Sequence, residues 1–214
     1  MWRIYIPDHI ESVETEFNLL HKDEQLKSEF FLKEEDRIRF ILSKIYLKKL
    51  LSNYLKVEPS QLEFKYSEQN KPILINYPMI NFNLSHSGQY IIIGFANKWS
   101  VGVDIELMNT HIDLYNLINN CMSSPEVSVI LNSEMPRQMF YKYWTRKEAL
   151  LKGIGIGLTD RLKDINCNDG LNLVPIEFSG FASPWKVWSF EMDNSYSVSI
   201  ALDSAIRVMR FYEI

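Results

Sequence analysis

The apolar positions of the N-terminal half predict one long helix followed by a sheet. From Glu34 to Tyr54, apolar side chains recur about every four residues, which is the spacing of one face of an amphipathic helix. Beyond Pro59 the pattern changes to short apolar runs separated by Asn, Gly, Pro and Ser, which is typical of antiparallel strands. The predicted elements of this half are an N-terminal strand, short helices at Glu11–Leu20 and Lys22–Leu32, the long helix, and strands at Leu62–Tyr66, Ile73–Ile75, Ile80–Leu84, Tyr90–Ala96 and Val101–Leu107.

The C-terminal half repeats this order of helices followed by strands. A polar stretch without periodicity, Met108–Asp113, separates the two halves. Because two halves of about equal length carry the same order of elements, we predict an α+β fold of two similar lobes, residues 1–107 and residues 108–214. The predicted elements of the second half are helices at Asp113–Asn120, Pro125–Asn132 and Glu134–Lys152, and strands at Leu162–Asn166, Leu171–Val174, Lys186–Met192, Tyr196–Leu202 and Ile206–Tyr212.

Composition and charge restrict the class of protein. With 214 residues, 46% of them hydrophobic, the chain is long enough to bury a sizeable core. The net charge of -4 argues against a general nucleic-acid binder, and no apolar run approaches the roughly 18 residues of a membrane span. The two cysteines form no CxxC pair and the N-terminus lacks the features of a signal peptide, so we expect a cytoplasmic protein.

One segment is locally basic. Between Arg137 and Lys163 there are seven basic residues against two acidic ones. Such a segment can steer an anionic ligand or an acidic partner toward the protein. A solvated helix face with ordinary lysines explains the same count, so both interpretations stay open.

Two acidic residues on the last strand of the first half are candidate metal ligands. In Gly102-Val103-Asp104-Ile105-Glu106, strand geometry puts Asp104 and Glu106 on one face and the apolar residues on the other. Two adjacent carboxylates in a half-buried sheet repel unless a proton or a cation lies between them. Oxygen ligands without nearby Cys or His suit a hard cation such as Mg²⁺. The alternative is a solvated strand face that happens to carry two acidic residues.

A second candidate group lies on the helix predicted at Glu134–Lys152. Glu148 and Lys152 are four residues apart and share one helix face. They form either an ordinary surface ion pair or, if this face meets Asp104 and Glu106, the third carboxylate of an Mg²⁺ site and a cation for its phosphates. The glycines that follow, Gly153 to Gly157, have GxGxG spacing after a helix, which indicates a helix end and excludes a dinucleotide-binding turn.

The third candidate is the strand end Asn83-Leu84-Ser85-His86-Ser87-Gly88. A serine beside a histidine does not make a hydrolase here, because adjacent strand residues point apart and no GxSxG elbow is present. Hydroxyls, a histidine and Gly88 at a strand end suit hydrogen bonds to a phosphate or to a ring edge. A purely structural turn explains the stretch equally well.

Taken together, three stretches resemble the signature motifs of the Sfp-type 4'-phosphopantetheinyl transferases. They are Phe82-Asn83-Leu84-Ser85-His86-Ser87, Gly102-Val103-Asp104-Ile105-Glu106 and Trp144-Thr145-Arg146-Lys147-Glu148-Ala149-Leu150-Leu151-Lys152, in this order and at these separations. The resemblance extends to Asp36–Arg39 and to Asn70-Lys71-Pro72, where the family usually has Gly-Lys-Pro. A glycine in such a place is often required for backbone conformation, so the asparagine is a departure from the pattern.

The resemblance implies a transferase that moves the phosphopantetheine arm of coenzyme A onto a serine of an apo acyl or peptidyl carrier protein, releasing adenosine 3',5'-bisphosphate. It also implies two similar α+β lobes related by a pseudo-two-fold axis, in a monomer whose cleft holds coenzyme A and Mg²⁺. By motif position, Mg²⁺ would be held by Asp104, Glu106 and Glu148, and coenzyme A would be bound by Asp104 and Lys152, by Ser85 and His86 at its phosphate end, and by Lys27, Arg39 and Lys71 at its adenine and 3'-phosphate.

The same resemblance suggests a mechanism. Lys152 would stabilise and protonate the leaving group, and Glu148 would accept the proton of the carrier serine, directly or through a water on the metal. Two other functions fit the same residues: an Mg²⁺-dependent phosphohydrolase acting on a nucleotide pyrophosphate, and a coenzyme A binding protein without catalysis. Carriers of fatty acid, polyketide and peptide synthesis all offer a serine, and the sequence does not distinguish among them.

Overall fold

The protein has an α+β fold, as the sequence predicts. A computed structural model describes residues 1–157, 159, 161–179 and 183–214. The helices are α1 (Ser12–Thr15), α2 (Lys22–Ser28), α3 (Glu34–Leu55), α4 (Leu114–Cys121), α5 (Ser124–Leu131), α6 (Pro136–Ile154) and α7 (Ile176–Ser179). The strands are β1 (Trp2–Tyr5), β2 (Phe64–Tyr66), β3 (Pro72–Leu74), β4 (Ile80–Ser87), β5 (Tyr90–Asn97), β6 (Val101–Leu107), β7 (Gly170–Val174), β8 (Ser183–Met192), β9 (Tyr196–Asp203) and β10 (Tyr212–Glu213).

Two four-stranded sheets organise the chain. The first has the strand order β10-β1-β5-β4 and the second the order β6-β9-β8-β7, while β2 and β3 form a separate hairpin. The long helix α3 packs on the first sheet and α6 packs on the second. Each long helix begins where its sequence favours a start: acidic residues fill the first turn of α3, and Pro136 occupies the first position of α6.

Strand β6, which carries the acidic pair, belongs to the second sheet. The sequence predicts it as the last strand of an N-terminal meander, but it pairs antiparallel with β9, with Asp104 opposite Ser199 and Glu106 opposite Ser197. This part of the prediction is wrong, because the order of strands along the chain does not reveal a partner about 90 residues away. A division of the chain into two lobes remains a proposal, and the pairing of β6 favours placing that division before residue 101.

A third core joins the two sheets. Strand β5 is a continuous apolar run whose alternate residues face different cores: Ile91 and Ile93 pack with α3, while Ile92 packs with Val103 and Ile105 of β6. Both faces of β5 are therefore buried, as expected for an uninterrupted apolar strand. This shared core fixes the position of β6 relative to the first sheet.

Two predicted strands near the C-terminus are wrong. The segment predicted as a strand at Leu162–Asn166 instead contains a short 3-10 helix at Leu162–Asp164. Its first residue, Leu162, and the residue that follows it, Ile165, are buried. Of the strand predicted at Ile206–Tyr212, only its last residue belongs to a strand, β10, which pairs parallel with β1. Among the described residues, no helix has the length and apolar character needed to cross a membrane.

Candidate active site between the two sheets

Strand β6 directs two carboxylates toward helix α6. Val103 and Ile105 are fully buried in the core between the sheets, so the alternate residues Asp104 and Glu106 face the other way. Asp104 is itself only 2% exposed, and its Oδ1 accepts a 2.6 Å bond from Lys152 Nζ on α6. Of the two arrangements that the sequence left open for this helix face, the structure has the one in which the face meets the strand carboxylates.

Gly102 permits the close approach of α6 to β6. A Cβ atom at Gly102 would overlap the carbonyl oxygen of Ala149 and the backbone nitrogen of Gly153. Any side chain here would push the helix away from the strand, and only glycine avoids this. The helix itself ends at Gly155, whose φ of +89° is the left-handed conformation of a glycine cap. The glycines after α6 thus form a helix end, as predicted.

Lys152 joins the carboxylate of Asp104 on β6 to Ser85 on β4 of the first sheet. Its Nζ donates to Asp104 Oδ1 at 2.6 Å and to Ser85 Oγ at 3.0 Å. An ammonium group has three hydrogens, so these bonds leave one for a ligand. The side chain of Lys152 is 29% exposed and lines a cleft bordered by α3, β4 and the C-terminal end of α6. Its remaining hydrogen is therefore accessible.

Glu148 is buried beside this ion pair. It is 8% exposed, and its Oε1 has no hydrogen-bond partner among the described residues. Burial raises the pKa of Glu148 to about 7, and the negative charges of Asp104 and Glu106 add to the rise while Lys152 opposes it. The side chain therefore does not point to solvent, and its carboxylate lies within electrostatic range of the other two.

The site has an excess of negative charge. It contains three carboxylates, which we call the carboxylate cluster: Asp104, Glu106 and Glu148. Burial raises the pKa of Asp104, although Lys152 opposes the rise; burial and the charge of Asp104 raise the pKa of Glu106. The Oδ2 atom of Asp104, like Oε1 of Glu148, is buried without a partner in the described part of the chain. Unpartnered carboxylate oxygens in a site of excess negative charge fit a hard divalent cation.

The cluster is not a preformed metal shell. Within the described ranges, no group of three or more His, Cys, Asp or Glu side chains has the mutual closeness of metal ligands. Instead, the ammonium of Lys152 supplies the positive charge next to Asp104. The assignment of Mg²⁺ to these three residues therefore remains a prediction, supported by the chemistry of the donors.

Ser85 uses its whole hydrogen-bonding capacity inside the protein. Its hydroxyl donates to Asp104 Oδ1 at 2.9 Å and accepts from Lys152 Nζ at 3.0 Å and from the backbone N–H of Ile105 at 3.4 Å. A hydroxyl has one hydrogen and two lone pairs, so no capacity is left. The predicted contact of Ser85 with a phosphate would require one of these bonds to open.

The cleft next to Lys152 contains a cavity of about 280 Å³, also lined by His86 and Lys71. Lys71 Nζ donates to the carbonyl oxygens of Lys152 and Gly153 at 2.8 and 3.3 Å, so it binds the C-terminal end of α6. The preceding Asn70 has φ of +59°, a conformation that asparagine tolerates better than most residues. The asparagine therefore adopts the kind of backbone conformation for which a glycine is commonly used.

The remaining predicted ligands lie farther along the cleft. His86 is on the exposed side of β4, and its pKa is lowered by partial desolvation and by the positive charges of Arg39 and Lys152. Arg39 donates to Asp36 and to the carbonyl oxygen of Gly88. Lys27 lines a neighbouring cavity of about 660 Å³ that shares Phe40, Lys44 and Asn70 with the first.

The sequence missed the structural role of part of the basic segment. Lys147 is fully buried, and its Nζ bonds to Glu126 and to the carbonyl oxygens of Cys121 and Leu162. Arg146 is 4% exposed and bonds to Ser189. These two charges are buried, so they do not contribute to a surface that meets a partner.

The sequence analysis included Asn83 and Ser87 in a candidate stretch but did not predict their contacts with β6. With Ser85 they form a row of alternate residues on one face of β4, directed at the edge of β6. The alternation of polar residues was visible in the sequence, but the unpaired strand edge that it serves was not.

Comparison with known proteins gives a consistent identification. The family model described as the 4'-phosphopantetheinyl transferase superfamily matches residues 100–201, and the one described as 4'-phosphopantetheinyl transferase, N-terminal, matches residues 7–98. The protein slr0495 of Synechocystis sp. is 31% identical over 178 residues, which cover 80% of this chain and 72% of that protein.

Two further relatives match nearly the whole chain. The 4'-phosphopantetheinyl transferase HetI of Nostoc sp. is 29% identical over 94% of this chain and 86% of its own length. The 4'-phosphopantetheinyl transferase Sfp of Bacillus subtilis is 27% identical over 94% of this chain and 90% of its own length. The protein is therefore an enzyme of the 4'-phosphopantetheinyl transferase superfamily.

Proposed function

We propose that this enzyme transfers the 4'-phosphopantetheine group of coenzyme A to a serine of an apo acyl or peptidyl carrier protein, in an Mg²⁺-dependent reaction that releases adenosine 3',5'-bisphosphate. One observation carries the proposal most strongly. Buried, unpartnered oxygens of Asp104 and Glu148 lie beside Lys152, whose ammonium has one hydrogen left and lines the cleft. These are the charges that a pyrophosphate and its counter-cation require.

The carboxylate cluster would hold Mg²⁺. When bound, Mg²⁺ supplies positive charge that neutralises the pyrophosphate oxygens of coenzyme A. The residues present fit such an ion because all three donors are carboxylates and each has its pKa raised in a site of excess negative charge. Without a cation, the cluster would favour protonation over three simultaneous charges.

Lys152 would bind the phosphates and stabilise the leaving group. Its two bonds to Asp104 and Ser85 fix the direction of the side chain, and its third hydrogen is available to a phosphate oxygen in the cleft. As the phosphorus–oxygen bond to the adenosine bisphosphate breaks, negative charge accumulates on the departing phosphate. The ammonium is already oriented to compensate that charge.

Glu148 would act as the general base. The carrier serine forms a new oxygen–phosphorus bond to the phosphorus of the pantetheine arm, and its proton must leave at the same time. Oε1 of Glu148 is buried without another hydrogen-bond partner in the described residues, so it can accept that proton. The phosphopantetheine arm thereby moves from adenosine bisphosphate to serine with all charges and protons accounted for.

The substrate contacts beyond the reaction centre are proposed by motif position. His86 and Lys71 line the cavity beside Lys152, and Lys27 lines the adjacent one, so the pair of cavities offers a path for the rest of coenzyme A. Arg39 would act from the rim through its charge beside His86. We further propose that the enzyme is a cytoplasmic monomer, in keeping with two free, buried cysteines and an internal cleft.

Mass spectrometry of apo carrier proteins tests this function. Carriers of fatty acid, polyketide and peptide synthesis are incubated with the enzyme, coenzyme A and Mg²⁺, each beside a matched carrier whose acceptor serine is replaced by alanine. We expect one phosphopantetheine arm on the serine carriers and none on the alanine controls or after chelation of the metal. The carrier that is modified fastest identifies the pathway.

The same reactions separate the competing functions. A phosphohydrolase would release the nucleotide product at the same rate without a carrier, whereas a transferase requires one. A protein that only binds coenzyme A would release no product with any carrier while still retaining the ligand in equilibrium dialysis. Either result would reject the transferase proposal.

A further inference from the structure

We propose that Ser87 is a positioning residue for Glu106, as Ser85 is for Asp104, and that the two serines orient these two carboxylates so that a cation binds to them with higher affinity. The proposal rests on the proposed function for the identity of that cation. It assigns to β4 a role in orienting residues of β6, a strand of the other sheet.

Strands β4 and β6 lie side by side without sharing a backbone ladder. β4 pairs with β5, and β6 pairs with β9. Side chains of β4 bond the backbone N–H groups of β6 instead: Asn83 Oδ1 accepts from Val103 at 2.9 Å, and Ser87 Oγ accepts from Leu107 at 2.9 Å. Ser85 Oγ accepts from Ile105 between them at 3.4 Å. The two-residue period of both strands keeps the three contacts in register.

The two serines make a second bond that Asn83 does not make. Ser87 Oγ donates to Glu106 Oε2 at 3.1 Å, and Ser85 Oγ donates to Asp104 Oδ1 at 2.9 Å. In each case the backbone N–H of the residue after the carboxylate occupies a lone pair of the hydroxyl. The hydroxyl hydrogen must then point elsewhere, and the carboxylate is the acceptor it meets. The same two-bond unit thus occurs twice along the strand.

These hydrogen bonds determine which oxygen of the carboxylate remains available to a cation. At Asp104, Oδ1 is held by Ser85 and Lys152, and Oδ2 is left without a partner in the described chain. A carboxylate fixed through one oxygen presents the other in a defined direction and loses less side-chain freedom when a cation binds. Bonds from outside the ligand shell to metal-binding carboxylates typically change metal affinity by about 10- to 100-fold when they are removed.

Asn83 provides a matched control within the same row. It makes the same kind of bond to a backbone N–H of β6 and is equally part of the contact between the sheets, but within the described residues it makes no hydrogen bond to a carboxylate. A loss that reflects only weaker packing of β4 on β6 should therefore appear in Asn83→Ala as well as in Ser87→Ala. A loss that reflects carboxylate orientation should appear in Ser87→Ala and not in Asn83→Ala.

The test measures Mn²⁺ affinity by electron paramagnetic resonance in the full-length protein with coenzyme A present. We expect Ser87→Ala to weaken Mn²⁺ binding by about 10- to 100-fold, Ser87→Thr to restore most of the affinity because it keeps the hydroxyl, and Asn83→Ala to change it by less than about threefold. Thermal melting of each variant without metal provides the measure of packing.

Wild-type Mn²⁺ affinity in Ser87→Ala would overturn the proposal, as would an equal loss in Asn83→Ala or a wild-type protein that does not bind Mn²⁺. These outcomes are distinct from failure of the proposed function. A wild-type enzyme that binds Mn²⁺, loses affinity in Ser87→Ala and still modifies no carrier would support the positioning role and reject the transferase.

Discussion

Helix α6 carries two lysine–carboxylate pairs whose surroundings differ. Lys147 is fully buried, and its ammonium donates to Glu126 at 2.6 Å and to two backbone carbonyls, so all three hydrogens are used. Lys152 also pairs with a buried carboxylate at 2.6 Å, but its side chain is 29% exposed and one hydrogen faces the cleft. We call these the sealed pair, Lys147–Glu126, and the open pair, Lys152–Asp104.

The two pairs show that one helix can support the fold at one position and present charge to a ligand at another. The sealed pair holds α6 against α4, α5 and the 3-10 turn at Leu162, and it offers nothing to a ligand. Each pair leaves one carboxylate oxygen without a partner in the described residues, Oε1 of Glu126 and Oδ2 of Asp104, but only the open pair has a lysine that lines a cavity able to admit a substrate. Charge in the sealed pair should therefore affect folding, and charge in the open pair should affect binding and catalysis.

The largest expected effect is a loss of turnover when Glu148, which lies beside the open pair, is changed. Glu148→Gln removes the proposed base while keeping size and burial, so turnover should fall by about 10²- to 10⁴-fold. Rates are measured with Mg²⁺, coenzyme A and carrier saturating. The matched control is Glu126→Gln, which alters the sealed pair and should lower stability with little change in turnover of the folded fraction. Equal losses of turnover in the two variants would contradict the assignment of catalysis to the open pair and of stability to the sealed pair.

The next effect concerns the sealed pair. Lys147→Ala leaves Glu126 buried without its partner, so the free energy of unfolding should fall by about 3–5 kcal/mol. Lys147→Met keeps the volume, and Lys147→Met combined with Glu126→Leu removes both charges and should recover much of the loss. Urea denaturation measures all three. A loss below about 1 kcal/mol in Lys147→Ala would mean that the pair does not support the fold.

A smaller expected effect is on the stability that each lysine variant gains from Mg²⁺. In Lys152→Ala, Asp104 loses its cation in a site that remains open, so Mg²⁺ should restore stability to the variant. Ligand linkage predicts a gain of about 1–3 kcal/mol at Mg²⁺ concentrations about 10 to 100 times the Kd. Lys147→Ala should gain no more from Mg²⁺ than the wild type does. An equal gain in the two lysine variants, measured by melting with and without Mg²⁺, would contradict the comparison.

The smallest expected effect is at Lys71, which ties the β2–β3 hairpin to the end of α6. Lys71→Met loses two bonds to carbonyl oxygens but also removes the cost of burying an ammonium, so the free energy of unfolding should fall by only about 0.5–1.5 kcal/mol. If Lys71 also binds coenzyme A, the KM for coenzyme A should rise in the same variant. A stability loss with an unchanged KM would restrict Lys71 to joining the two elements.

Local patterns predicted the elements that build the site. The alternation of Val103 and Ile105 with two acidic residues placed β6 at Val101–Leu107, in agreement with the structure. The four-residue spacing of Glu148 and Lys152 placed both on one face of a helix that the structure confirms at Pro136–Ile154. These predictions succeed because strand and helix periods depend on neighbouring residues.

Contacts between distant segments were beyond the sequence. Nothing local showed that β6 pairs with β9, that β10 returns to β1, or that Lys147 is buried while Lys152 is not. Ser85 was predicted as a phosphate ligand from its motif, yet its bonding capacity is filled by Asp104, Lys152 and Ile105. Such saturation depends on three elements meeting in space, and a one-dimensional pattern does not contain it.

The central claim is that the carboxylate cluster and Lys152 form one centre for a cation and a pyrophosphate. The most direct test is anomalous diffraction from crystals of the enzyme grown with coenzyme A and Mn²⁺. We expect a single strong anomalous peak bonded to oxygens of Asp104, Glu106 and Glu148, with a coenzyme A phosphate beside it and Lys152 Nζ on that phosphate. A peak elsewhere in the cleft, or bound coenzyme A with no peak at this cluster, would contradict it.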